Sequence, residues 1–144
     1  TIMVLSSCQD QDHKTYEYEG KTYHFPDYVF QNPQAPEAYA IATETGEVLQ
    51  YIPCYCGCGN EPFNHISVQD CFINPSKSNA DQVVYTNHGA GCSTCINIVL
   101  EAKHGIQAGH SLDEIRQKID EKYSELGVDP TPAPYPPSGN EGVS

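Results

Sequence analysis

Six of the seven cysteines in this chain of 144 residues fall between positions 54 and 95, in a pattern that suits metal chemistry. Cys54, Cys56 and Cys58 form C-x-C-x-C, Cys71 stands alone, and Cys92 and Cys95 form C-x-x-C. Thiols spaced i, i+2 on an extended, glycine-relaxed loop do not easily bond to each other, yet their sulfurs can converge on shared or neighbouring soft cations. Gly57 and Gly59 permit the tight backbone that this needs. Cys92 and Cys95 stand i, i+3 at the expected start of a helix, so both sulfurs share a face. The helix N-terminus there favours thiolate, the form that binds metal. His65 and His88 lie beside the cysteines, as nitrogen ligands or as groups that orient a ligand. The candidate metal set is therefore Cys54, Cys56, Cys58, Cys71, Cys92, Cys95, His65 and His88.

Three chemistries compete for these thiols. Six cysteines in a small exported domain commonly form three disulfides, which predicts cysteines scattered to staple distant elements; here three lie within five residues. A C-x-x-C at a helix start also suits thiol/disulfide exchange, although no strand-rich βαβ pattern precedes it. Binding of soft metal accounts best for ligand type and clustering. Copper(I) is favoured, because it accepts two or three thiolates and forms bridged clusters; zinc, which takes four ligands, is second. An iron–sulfur cluster fits the cysteine count less well, since an exposed exported site would face oxidation. Enzymatic activity is not expected: no paired carboxylates are placed for hydrolysis, and no nucleophile-elbow sequence is present.

The elements that must position these residues are short. Thr15 to Phe25 alternates aromatic and polar residues around Glu19-Gly20-Lys21, an N-terminal β-hairpin signal. From Pro36, Ala38, Ile41 and Ala42 recur at helical spacing, as do Val48, Leu49 and Ile52 beyond Gly46, until Pro53 stops the pattern. Two short helices or one kinked helix thus deliver the chain to Cys54. Ser67 to Phe72 suits one helical turn, and Asn74 to Asp81 reads as polar linker. Gly91 to His104 predicts a helix with Gly105 as its left-handed stop. Ser111 and Glu114 form a capping box for a last helix whose stripe is Leu112, Ile115, Ile119, Tyr123 and Leu126, ending at Gly127. The fold class expected is mainly α: a small single domain of about four short helices around a cysteine-rich loop. Its helical part spans residues 26–127, after a tether and hairpin at 9–25. Residues 128–144 are Pro-rich, with too few large apolar side chains to repay ordering, and are expected to be disordered.

With 19 acidic against 7 basic side chains the formal charge is −12, so phosphate backbones and anionic surfaces repel the protein and nucleic-acid binding is excluded. No apolar run is long enough to span a membrane. Residues 1–8 end in Leu5-Ser6-Ser7-Cys8, which looks like a bacterial lipobox, the remnant of a lipoprotein signal segment. Cys8 would then carry lipid and hold the protein at the outer face of the membrane. His13, His24, His104 and His110 attract cationic or capping roles in preference to ligation. Tyr55, inside the motif, would shield sulfur from water, and the acidic pairs Asp113-Glu114 and Asp120-Glu121 read as solvated helix faces.

The run Pro53-Cys54-Tyr55-Cys56-Gly57-Cys58 is followed by His65, Asp70-Cys71-Phe72-Ile73, His88-Gly89 with Cys92-x-x-Cys95, and a Ser-Leu-x-Glu-Ile-Arg helix. Over roughly Asp27 to Tyr123 this resembles the bacterial lipoprotein family named for its PCYCGC motif. The resemblance implies an extracytoplasmic, lipid-anchored protein with this cysteine set, and implies no particular activity. The function expected from the chemistry is sequestration of copper(I) at the cell surface, or its delivery to a membrane metalloenzyme or metal transporter.

Overall fold

The computed structural model describes residues 13–137. Cys8, the residue expected to carry lipid, lies outside them.

The chain opens with an antiparallel hairpin of β1 (His13–Tyr18) and β2 (Lys21–Pro26), in register from His13 opposite Pro26 to Tyr18 opposite Lys21. Glu19 and Gly20 make the turn with φ of 47° and 78°, the left-handed geometry that matches strand twist in a two-residue loop. Period-2 alternation sends Tyr23 and Phe25 inward. Phe25 meets Tyr85 edge-on at 5.2 Å and Tyr39 at 6.0 Å. The hairpin thus shares the core of the helices that follow. Lys21 and the Tyr23 hydroxyl both bond Glu44, at 2.7 and 2.8 Å, and hold that carboxyl below the usual carboxylate range, Lys21 contributing most.

After a 3-10 turn (Asp27–Gln31), α1 (Ala35–Glu44) runs through the centre of the molecule. It is buried nearly all round, with Ala35, Ala38, Tyr39, Ala40 and Ala42 fully excluded from solvent. Its small alanines let neighbours approach on every side while Tyr39 and Ile41 fill the larger gaps. A break at Thr45 leads to the short α2 (Gly46–Leu49). The two longest helices are α3 (Ser93–Gln107) and α4 (Leu112–Tyr123). The α3 face formed by Cys95, Ile96, Ile98, Val99 and Ala102 is buried, as are Leu112, Ile115 and Ile119 of α4. Full burial of each such Ile or Leu is worth about 1.5–3 kcal/mol against exposure. The capping box at Ser111 and Glu114 forms as expected. None of the helices among the described residues is long and apolar enough to cross a membrane.

Several expectations are corrected. The fold is not mainly α: four α-helices are joined by a two-stranded sheet, and long irregular stretches at 50–67 and 73–87 take up much of the remainder. Proline and glycine disfavour helix in the cysteine loop. Beyond it the Asn74 and Asn79 side-chain oxygens accept from the Lys77, Asp81 and Gln82 N–H groups, and the Ser78 hydroxyl donates to the Asn74 carbonyl. Gly105 does not stop α3. It lies inside the helix because an added Cβ would come within 2.7 Å of Ile115, and Gly109 with φ 78° supplies the left-handed turn instead. Leu126 is exposed, beyond the end of the α4 stripe.

Residues 128–137 of the Pro-rich segment are ordered, against expectation, while 138–144 lie outside the described residues. Thr131, Ala133 and Pro136 are buried. The Thr131 N–H donates to the Cys54 carbonyl at 2.9 Å, and the Thr131 hydroxyl accepts from the Cys54 N–H at 2.9 Å. Arg116 of α4 donates to the carbonyls of Tyr51, Ala133 and Pro134 and lies 4.2 Å from the Tyr135 ring centroid. The ordering cost is met by polar groups of the folded body, which composition does not reveal.

Candidate metal centre

Three segments far apart in sequence deliver the cysteines. Pro53 ends the path from α2, and the backbone of Cys54 is then pinned on both sides by Thr131. Gly57 takes φ 81°, a left-handed conformation that costs glycine little and reverses the chain so that the sulfurs of Cys56 and Cys58 meet. The Cys58 carbonyl accepts from the His65 N–H at 2.9 Å, which closes the loop.

Cys71 ends a 3-10 turn (Val68–Cys71) whose capping box pairs Ser67 with Asp70. The Asp70 carboxylate also accepts from the Ile66 N–H at 2.7 Å, and the Val68 N–H bonds the Ile52 carbonyl at 2.8 Å. His88 begins a second 3-10 turn (His88–Gly91) that packs tightly on Phe72 and Cys71. A Cβ at Gly89 would come within 2.6 Å of the Phe72 ring. Tyr39 holds this turn from α1, donating to the Thr86 carbonyl at 2.5 Å and accepting from the Ala90 N–H at 3.1 Å. Cys92 then caps α3, its sulfur accepting from the Cys95 N–H at 3.3 Å.

All six of these cysteines are free, so the disulfide-stapled alternative is not what the chain adopts. Their sulfurs nevertheless converge. Cys54 and Cys95 are 2.9 Å apart, as are Cys56 and Cys58. Cys54 to Cys56 is 3.3 Å, Cys71 to Cys95 3.4 Å, Cys56 to Cys95 3.5 Å and Cys58 to Cys71 3.8 Å. These separations exceed a disulfide bond of about 2.05 Å, and the shortest lie inside the roughly 3.5–4.0 Å of ordinary non-bonded packing. The His88 Nε2 is 3.4 Å from Cys56 and the His65 Nδ1 is 3.5 Å from Cys71. Three groups have ligand atoms all within 4.8 Å of one another: Cys54, Cys56, Cys71, Cys95; Cys56, Cys58, Cys71, His88; and Cys56, His88, Cys92, Cys95. Seven of the eight expected residues therefore reach metal-ligand spacing. His65 stands beside them, its ring 5.0 Å from that of His88.

The thiols divide by charge. Cys54 and Cys95 donate their S–H groups into the cluster and stay protonated far above the ordinary thiol range. The bond to Cys56 dominates for Cys54 and the bond to Cys54 for Cys95, with burial adding to both. Cys71 is also raised: its bond to Cys54 opposes this, but the bonds to Cys56 and Cys58 and its burial prevail. Cys56 is held well down by bonds from Cys54 and then Cys58. Cys58 lies at about 3, with Cys54 the main cause, and Cys92 is lowered by Cys54 and Cys95. Burial would lower His88, yet the bond to Cys56 and the nearby thiolates raise it. The hydrogen-bond partners of these sulfurs are one another, the imidazoles of His88 and His65, and the Cys95 N–H. Soft sulfur and imidazole donors gathered at this spacing suit a soft cation.

Several supporting residues were not legible as such. Asp120, expected on a solvated face, accepts from the Tyr55 hydroxyl at 2.5 Å and from Arg116 at 3.0 Å. Its i, i+4 spacing from Arg116 was the available clue. Tyr55 is buried and stacks on Tyr123, 6.1 Å between centroids. Nothing local marks Thr131. His104 and His110 line a groove between α3 and α4, and His104 lies nine residues from Cys95, about 13 Å along α3 at the helical rise.

Fold and site together define a small cysteine-rich protein whose free thiols are arranged with metal-ligand geometry. The chain belongs to the family described as protein of unknown function with PCYCGC motif, which matches residues 3–136. Comparison with curated proteins and with solved structures returned no match.

Proposed function

We propose that this protein is an extracytoplasmic, lipid-anchored binder of soft metal, chiefly copper(I), that sequesters the ion at the cell surface or passes it to a membrane metalloenzyme or metal transporter. The observation that carries the reading is the convergence of six free cysteine sulfurs and the His88 imidazole into three overlapping ligand groups. Soft thiolates select copper(I), zinc or iron–sulfur clusters over hard cations. Copper(I) is favoured over zinc because the ligand groups overlap, and low-coordinate thiolate copper tolerates shared sulfurs more readily than separate tetrahedral zinc sites do. An iron–sulfur cluster ranks third, in an oxidising compartment. Metal joining Cys54, Cys71 and Cys95 crosslinks three distant segments, so its binding free energy is also folding free energy.

Anaerobic purification with elemental analysis and thiol counting tests this. The expected result is bound soft metal with near-ultraviolet thiolate bands that vanish when Cys54, Cys56 and Cys58 are all replaced by Ser. Metal-free protein whose thiols turn over in a disulfide exchange assay through Cys92 and Cys95 would show that the C-x-x-C is a redox pair instead. The anchor is tested separately: Cys8→Ala in the exported protein should move it from the membrane to the soluble fraction.

A further inference from the structure

We infer that the centre holds two soft cations bridged by the Cys56 thiolate, an inner ion closed to solvent and an outer ion that exchanges. This rests on the soft-metal reading above and adds the number of ions, the shared ligand and the direction of exchange.

The ligand groups do not divide into separate sites. An ion held by Cys54, Cys56, Cys71 and Cys95 leaves Cys58, His88 and Cys92 unused, and each of these falls in a further group that again contains Cys56. No two of the three groups are disjoint, so two four-coordinate ions must share Cys56, together with Cys71 or Cys95. Cys56 has the neighbours for it: three sulfurs within 3.5 Å, those of Cys54, Cys58 and Cys95, and the His88 Nε2 at 3.4 Å. The number stops at two full sets because His88 joins both remaining groups, and a neutral imidazole offers one acceptor nitrogen.

Burial separates the two positions. Cys54, Cys71 and Cys95 are completely excluded from solvent, while Cys56, Cys92 and His88 are half-buried. The ring of Phe63, itself half exposed, lies edge-on to His88 at 4.6 Å between centroids. The outer ion, held by Cys56, His88, Cys92 and Cys95, therefore meets solvent along the His88 side and exchanges more readily than the inner one.

Reconstitution of the reduced full chain with cadmium-113 under anaerobic conditions tests the bridge directly. Native mass spectrometry should find two cadmium ions per chain, and the cadmium spectrum should contain two resonances split by coupling through a common sulfur. A chelator should remove one ion rapidly and the other slowly, and His88→Ala should lose the fast ion while keeping the slow one. A single bound ion, or two resonances without mutual splitting, would overturn the bridged centre and leave soft-metal binding intact; failure to take up cadmium, copper(I) or zinc would remove both. The splitting is read on the unsubstituted protein, so the outcome does not depend on whether Cys56→Ser folds.

Discussion

Thr131 offers the sharpest test of how the cysteine loop is held. Its hydroxyl accepts the buried Cys54 N–H at 2.9 Å, and the residue is 2 % exposed. Thr131→Ala removes that acceptor and leaves a backbone donor unpaired inside the protein, a loss of about 1–3 kcal/mol. The missing methyl adds about 0.8 kcal/mol of lost apolar burial. The sum is about 2–4 kcal/mol, a large fraction of the roughly 5–15 kcal/mol that stabilises a domain. Thr131→Ser keeps the acceptor and loses only the methyl, so it should cost about 1 kcal/mol. Urea denaturation of the reduced, metal-free protein measures the difference. With a slope of about 1–3 kcal/mol per molar urea, the serine variant should unfold about 0.3–1 M below the parent and the alanine variant about two to four times further below it. The alanine variant should also bind metal more weakly, since Cys54 is no longer pinned beside Cys95. Equal midpoints for the two variants would refute the idea that this threonine straps the motif in place.

Arg116→Ala should be more damaging, because Arg116 is 8 % exposed and serves three carbonyls as well as Asp120. Leaving those partners unmet costs about 3–5 kcal/mol, visible as a lowered Tm by calorimetry, with Asp120→Asn milder. Gly105→Ala, a change that stabilises most helices by about 1 kcal/mol, should here destabilise by about 1–3 kcal/mol through overpacking on Ile115; Ile115→Val in the same chain should recover part of the loss in a chemical melt. Metal affinity should rise with pH. Cys54, Cys71 and Cys95 keep their protons above the ordinary thiol range when no metal is bound, so each must release one on ligation, and acid competes with the cation. Competition against a chelator of known pH dependence measures this, and an affinity constant across neutral pH would contradict the protonated inner set.

The primary structure settled which atoms could bind metal. Thiols and imidazoles are a matter of residue type, and C-x-C-x-C and C-x-x-C place sulfurs within a few ångströms of one another through local geometry alone. The caps and stripes of α3 and α4 were equally legible, because a helix is built from contacts three and four residues apart. What local pattern could not supply was convergence. That Cys54 meets Cys95, that Cys56 stands in every ligand group and that His88 joins them while His65 stays beside them depend on the close approach at Gly89 and the bonds of the Tyr39 hydroxyl, contacts between distant segments. The hairpin's place in the core and the docking of Thr131 and Ala133 were decided in the same way. Polyproline-like sequence has no internal hydrogen bonds to declare its order, and only the carbonyls and guanidinium of a folded partner surface make its ordering favourable.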